Sequence, residues 1–255
     1  MTGISEIRVI GIGGIPLIKR DDDLGKLICD AAEKQDTPII NRDIIVVTQK
    51  IVSKTEGRLV RLKDVAVSPF SRQAAQGLRK CPQLVEVILG EAKSIVRMVG
   101  GHLITETREG WICANSGVDR SNVSGGDVVT LLPVDSDRSA IRIRERIMEL
   151  TGKQVAVIIT DTFGRPFRLG HVDICIGVSG ISPFLDLRGE KDLFGYVMRV
   201  KRAAIGDELA SAAELVMGNT REKTPAAIIR GYKYSFDESA KASDIIMPME
   251  KNLFR

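Results

Sequence analysis

Five short segments hold the residue types that chemistry needs. The sharpest is 155–170, VAVIITDTFGRPFRLG, where an apolar run delivers Asp161 and Thr162 to its carboxyl end and Arg165 and Arg168 follow among glycines. A carboxylate at the end of a buried strand is a usual place to hold a divalent ion, and arginines beside it take phosphate or carboxylate. Such a set suits phosphoryl transfer. The plainer reading is an aspartate capping a turn, with the arginines in solvent.

A second polar cluster, ANSGVDRSNV at 114–123, crowds Asn115, Ser116, Asp119, Ser121 and Asn122 around Gly117. Its oxygens could surround a hard cation or a nucleotide, and the same residues also make ordinary turns, so composition leaves both readings open. In TQKIVSKTEG at 48–57, Lys50 and Lys54 stand four apart beside Gln49. Their ammonium groups suit phosphate oxygens as point charges, and a solvated basic turn is the alternative. At 11–17 the run GIGGIPL lacks the last glycine of a dinucleotide fingerprint, since Pro16 stands there. A nucleotide-contacting turn and a structural turn both remain open. The fifth segment, LVMGNTREKTP at 215–225, puts Gly218 and Asn219 at a helix end before a polar loop, either a nucleotide cover or a connector.

These segments need elements to position them. Runs rich in Val and Ile predict strands at 7–12, 43–48, 103–107, 111–115, 127–132, 154–160, 173–179, 197–204 and 226–230. Helical periodicity predicts helices at 22–34, 71–95, 136–150 and 207–217, the second interrupted at Pro82 and the third stopped by Gly152. Strands do not alternate strictly with helices, so the expected class is α+β with mixed sheets. No internal repeat or linker divides residues 1–255, which read as a single unit. The stretch after Tyr232, rich in Ser, Asp, Glu and Lys, reads as a loosely held tail.

Composition narrows the function classes. Apolar residues make up 44% of the 255 residues and charged residues 27%, which excludes disorder and coiled coil. The net charge of +4 is dispersed, and aromatics are only 4%, against a nucleic-acid binder and in favour of small anionic ligands. Cysteines 29, 81, 113 and 175 show no CxxC spacing and read as reduced thiols. Two histidines, His102 and His171, cannot supply a His-rich metal centre, so any metal is expected to be a hard ion held by oxygen. The longest purely apolar run, 155–159, falls far short of the ~20 residues of a membrane span, and 1–18 lacks a signal-peptide pattern. A cytoplasmic location is expected.

Taken together, the segments resemble one family, the coenzyme F-420:L-glutamate ligases, also called F-420-0 gamma-glutamyl ligases. The likeness runs in order from about Val9 to Tyr232 through Gly14-Ile15-Pro16-Leu17, VSKTEG at 52–57, GVDRSN at 117–122, ITDTFGR at 159–165 and GDELA at 206–210. The resemblance implies a GTP-dependent ligase that adds L-glutamate to a deazaflavin cofactor precursor, working with magnesium or manganese and potassium. It also implies a homodimer with two intertwined lobes, in the stand-alone form without a fused flavin-binding domain.

Carried over by position, Asp119 and Asp161 resemble metal ligands, with Thr162 beside them. Gly14, Ile15, Pro16, Leu17, Gln49, Lys50, Lys54, Asn122 and Gly218 fall where the family touches GTP. Two positions depart from the pattern: Asn219 stands where relatives often carry an acidic or amide ligand, and Gln49-Lys50 replaces a short hydroxyl pair. On this reading Asp161, Arg165 and Arg168 are the catalytic set, and F-420-0 is activated as an acyl phosphate. The rivals are a nucleotide- or deazaflavin-binding module, in which Asp119 and Asp161 are turn residues, and a metal-dependent phosphohydrolase, in which the ion activates water.

Overall fold

A computed structural model describes residues 6–121 and 126–253. In chain order its elements begin with β1 (Arg8–Ile12), α1 (Leu24–Lys34), β2 (Ile44–Thr48), α2 (Gln49–Thr55), β3 (Leu59–Arg61), α3 (Pro69–Leu78), α4 (Pro82–Glu91), β4 (Ala92–Val99) and β5 (His102–Thr107). They continue with β6 (Ile112–Ala114), β7 (Val128–Thr130), α5 (Ser136–Thr151), β8 (Ala156–Arg165), β9 (Arg168–Ser179), β10 (Leu185–Asp186), β11 (Arg202–Ala203), α6 (Ile205–Met217) and β12 (Ala226–Arg230). The class is α+β with mixed sheets, as the sequence predicts.

The main sheet has the order β1-β12-β2-β8-β9. Only β2 and β8 run parallel; the other neighbours are antiparallel. The β-branched run Ile44–Val47 and its partner Ala156–Ile159 are fully buried, as expected for strands covered on both faces. One face is covered by α5, which packs on β8 and β9 and against α1, while α6 packs on β1, β9 and β12. A second cluster of buried apolar residues, including Leu62, Leu78, Val85, Ile88, Leu103 and Val129, joins α3 and α4 to the strands between them and β7.

A bulge sets how the hairpin of β8 and β9 presents its side chains. Ile159 pairs with Gly177 but Thr160 pairs with Cys175, so Ile176 is an extra residue in β9. In an unbroken strand, residues 175 and 177 would share a face; across a bulge the phase reverses. Accordingly Cys175 lies against Gly206 of α6, whereas Gly177 lies against Ser136 of α5. The outward N–H groups of this edge strand do not stay bare. Those of Asp173, Cys175 and Val178 donate to Glu214, Asp207 and Asp137, carboxylates of the covering helices.

Several sequence expectations need revision. Within the stretch 48–57, Gln49–Thr55 forms a helix, α2, where a turn was one expectation. The periodicity of 71–95 ends early: α3 and α4 part at Pro82 as predicted, but Ala92–Val99 is a strand. The strand predicted at 197–204 shrinks to Arg202–Ala203. The stretch after Tyr232 is held down: Tyr234 and Ala242 are buried, Glu238 takes two hydrogen bonds from Arg144, and Ala242 N donates to Asp137. Among the described residues no helix is long and apolar enough to cross a membrane, and the four cysteines are unpaired.

Candidate functional site

Four segments gather at one end of the main sheet. Strands β1 and β2 both end there, because each is antiparallel to β12. Pro225, just before β12, closes the group by accepting a hydrogen bond from Thr48 N at 3.0 Å. Thr48 with Thr160 is the last pair of β2 with β8, so β8 runs on past β2, and from Asp161 onward no strand among the described residues pairs with that edge. Asp161 and Thr162 therefore stand within a strand that continues to Arg165, not at a strand end as the sequence suggests.

Neighbours on a strand project to opposite faces, and Asp161 and Thr162 obey this rule. Thr162 faces the α6 side with Thr160 and Asp173. Its Oγ1 donates to Asp173 Oδ1 at 2.7 Å, and Thr160 Oγ1 donates to Asp173 Oδ2 at 3.1 Å. Asp161 projects to the opposite face, where its charge acts on Cys113 and that of Asp119 acts on it. Burial, then the nearby charges of Asp173 and Asp119, push its carboxyl up to about 7.

Helix α2 begins where β2 ends, so Gln49 and Lys50 arrive beside that edge. Lys50 Nζ lies 2.8 Å from Asp119 Oδ2 and 2.5 Å from Ser121 Oγ. Ser121 also donates through its N and Oγ to the two Asp119 oxygens. Burial acts to raise the Asp119 carboxyl, but the hydrogen bonds from Lys50 and Ser121 outweigh it and hold the group below the ordinary range. One turn further, Lys54 is held below the usual lysine value by burial and then by the charge of Lys50. Gln49 is fully buried; its Oε1 accepts from Ser53 at 2.9 Å while Nε2 has no partner among the described residues.

The turn after β1 is clamped from one side. Gln35 Oε1 accepts from Gly13 N and Gln35 Nε2 donates to Gly11 O, both at 3.0 Å. Gly14 takes φ 74, a conformation costly for other residues. Beyond it Ile15 is buried while Gly14, Pro16 and Leu17 are exposed. The loop after α6 starts at Gly218, φ 67, where a side chain would strike Glu222. Asn219 then donates Nδ2 to Glu214 Oε1 at 2.6 Å.

Other expected residues stand apart. Arg165 and Arg168 pair with each other at the tip of the hairpin, four strand residues or about 13 Å along β8 from Asp161. Arg165 donates to Leu169 O at 2.6 Å and Arg168 is exposed. Asn122 lies outside the described residues. A cavity of about 570 Å³ between α1, α2 and α5 is lined by none of the expected site residues, and its walls are ion-paired among themselves, Arg142 with Glu56 and Arg146 with Asp23.

Asp173 and Glu214 are the participants that the sequence reading missed. Asp173 stands in the apolar run VDICIGV, and a carboxylate in a strand of that kind needs partners to be tolerated; that was the available signal. Glu214 carries no local signal, since its role depends on α6 lying along β9.

The donor set fits a hard cation. It divides between the two faces of β8, with carboxylates at Asp119 and Asp161 on one and a hydroxyl at Thr162 and an amide oxygen at Asn219 on the α6 side; burial, with Asp173 and Asp119 adding to it, raises the Asp161 carboxyl, and a cation there would favour its ionised form. Among the described residues no three His, Cys, Asp or Glu side chains are close enough to hold an ion by themselves. Neutral oxygens would have to share the work of holding one.

Comparison with known proteins agrees with the residue likeness. The profile of the family described as F420-0:Gamma-glutamyl ligase matches residues 13–231. A protein of Methanothermobacter thermautotrophicus named coenzyme F420:L-glutamate ligase is 44% identical over 250 residues, covering 98% of this chain and 99% of its own. Its namesake in Methanopyrus kandleri is 44% identical over 258 residues, with both chains covered in full. The Methanocaldococcus jannaschii namesake is 44% identical over 252 residues, 98% of this chain and 97% of its own. A profile match spanning the four gathered segments, together with full-length identity at this level, shows that the chain belongs to the F420-0:gamma-glutamyl ligase family.

Proposed function

We propose that this protein joins L-glutamate to the deazaflavin precursor F-420-0 at the expense of GTP, as a step of coenzyme F-420 synthesis. A carboxylate does not condense with an amine at neutral pH, because oxide would have to leave. Activation is obligatory. In the proposed sequence a carboxylate oxygen of F-420-0 attacks the γ-phosphorus of GTP and the bond to GDP breaks. The glutamate amine then attacks the acyl phosphate carbonyl, phosphate leaves, and the nitrogen loses its proton.

Divalent magnesium or manganese, when bound, would neutralise charge on the phosphate oxygens. Asp119 and Asp161 on one face of β8, and Thr162 and Asn219 on the other, are the residues proposed to hold one or two such ions, and a monovalent cation such as potassium is part of the same proposal. Lys50 and Lys54, four apart and so on one flank of α2, are proposed to meet phosphate, with Gly14 to Leu17, Gln49, Asn122 and Gly218 around the nucleotide. Arg165 and Arg168 at the hairpin tip suit a planar carboxylate. A homodimer is proposed because Leu193, Phe194 and Val200, 99%, 95% and 88% exposed, lie in one segment that water does not favour.

The observation that supports this reading most is the pairing of Lys50 with Asp119 beside the edge of β8 at Asp161. Cation and anions meet there. Incubating the protein with GTP, manganese, glutamate and F-420-0, with mass analysis of the cofactor, tests it. Added glutamyl mass that requires all four components supports the ligase. GTP loss without cofactor or glutamate would indicate a hydrolase, and no consumption of GTP would indicate a binding module.

A further inference from the structure

Asn219 lies in the loop two residues past the end of α6, and an exposed carboxamide can turn either end outward. Only its oxygen can meet a cation. Glu214 decides which end faces out. Its carboxylate has no proton to give, so the amide must present Nδ2 to it, as the 2.6 Å contact shows, and Oδ1 points away. The other carboxylate oxygen accepts from Asp173 N at 3.0 Å, which holds Glu214 against β9. Asp173 in turn accepts from Thr162 Oγ1 at 2.7 Å, which commits that hydroxyl's proton and turns its lone pairs away from Asp173. One chain of contacts thus runs from Thr162 through Asp173 and Glu214 to Asn219.

We infer that Glu214 is a positioning residue that sets the Asn219 amide oxygen toward the ion site, with Asp173 doing the same for the Thr162 hydroxyl. The inference rests on the proposed ion site and adds to it the groups that aim its neutral donors. Supporting contacts of this kind typically change metal affinity by about 10–100-fold.

Reversing the polarity of one hydrogen bond tests it. In Glu214→Gln the new side chain keeps its oxygen on Asp173 N and donates its NH2 to Asn219, which must flip and show Nδ2 to the cation. In the double variant Glu214→Gln with Asn219→Asp, the introduced amide donates to one oxygen of the introduced carboxylate and the other oxygen faces the site. The probe is Mn2+ alone, titrated into chelator-treated protein and followed by electron paramagnetic resonance, with thermal melting to verify the fold. The expected result is a loss of about tenfold or more in Mn2+ affinity for Glu214→Gln, and recovery in the double variant to within about threefold of the parent. Parent-like affinity in Glu214→Gln, or no recovery in the double variant, while Asn219→Ala loses binding, overturns the role of Glu214 and leaves the ion site standing. Parent-like affinity in Asp161→Ala and Asn219→Ala removes the ion site and this inference with it.

Discussion

Lys50 Nζ and Asp119 Oδ2 are 2.8 Å apart, although 69 positions separate them in the chain. The contact fastens the first turn of α2 to the loop after β6. The two side chains are mostly buried, at 23% and 32% exposure, so solvent screening reduces the pair without erasing it.

Lys50→Met should therefore cost about 1 kcal/mol at neutral pH, a fall of roughly 2–4 °C in Tm for a chain of this size. Asp119 has its carboxyl held low in the folded state. Its stabilisation is present above the ordinary carboxylate value and is lost as pH falls through the folded one. The gap between parent and variant should close below about pH 4. Melting curves at pH 7 and in acid check this; equal Tm at pH 7 would mean that the pair contributes nothing.

Asp161→Ala should fold and turn over at least ~100-fold more slowly, the order of loss when a strong electrostatic contact to a transition state is removed. Asp161 also predicts a pH signature in chelator-treated protein. Its folded carboxyl is raised from 3.8 to about 7, so the folded state holds the proton more tightly than the unfolded state. Stability from this group is full below the lower value and is lost as pH rises through the window to the upper one. Asp161→Asn should gain on the parent across that window. Urea unfolding at pH 5 and pH 8 measures it, and an unchanged difference between the two proteins would contradict the assignment.

Gly177→Ala should destabilise by about 1–3 kcal/mol or more, because a methyl group there would lie 2.6 Å from the Ser136 carbonyl oxygen and α5 would have to lift from the sheet. Ala at Gly152, where nothing lies within 4 Å, meets no such clash and pays only for its backbone angle. Thermal denaturation of the two variants separates steric cost from conformational cost.

Phe194→Ser, alone or with Leu193→Ser, should shift the protein from a particle of twice 27.9 kDa toward a single chain, as read by light scattering after gel filtration. A parent that already runs as one chain would end the dimer proposal.

The central strands were legible because Ile44–Val47 and Ala156–Ile159 are unbroken β-branched or small apolar runs, and burial on both faces demands that pattern. Helix α2 was hidden because seven residues containing Val, Ser and Thr offer little helical preference; packing supplies the rest. Strand β4 was hidden because none of its residues is buried and its sequence, AKSIVRMV, does not alternate apolar with polar residues. The same limit applies at the site. Asp119, Asp161 and Asn219 announced themselves by type and neighbourhood, whereas Glu214 matters through its position beside β9, which a linear chain does not display.

The extra residue Ile176 gives the hairpin two independently keyed halves. Toward the core, β9 is indexed to α5 through Gly177; toward the site it is indexed to α6 through Asp173 and Cys175. Excising that one residue would join the halves in a single register and rotate Asp173 off Thr162, disarming the outer half, and would also empty the core position that the buried Ile176 side chain fills.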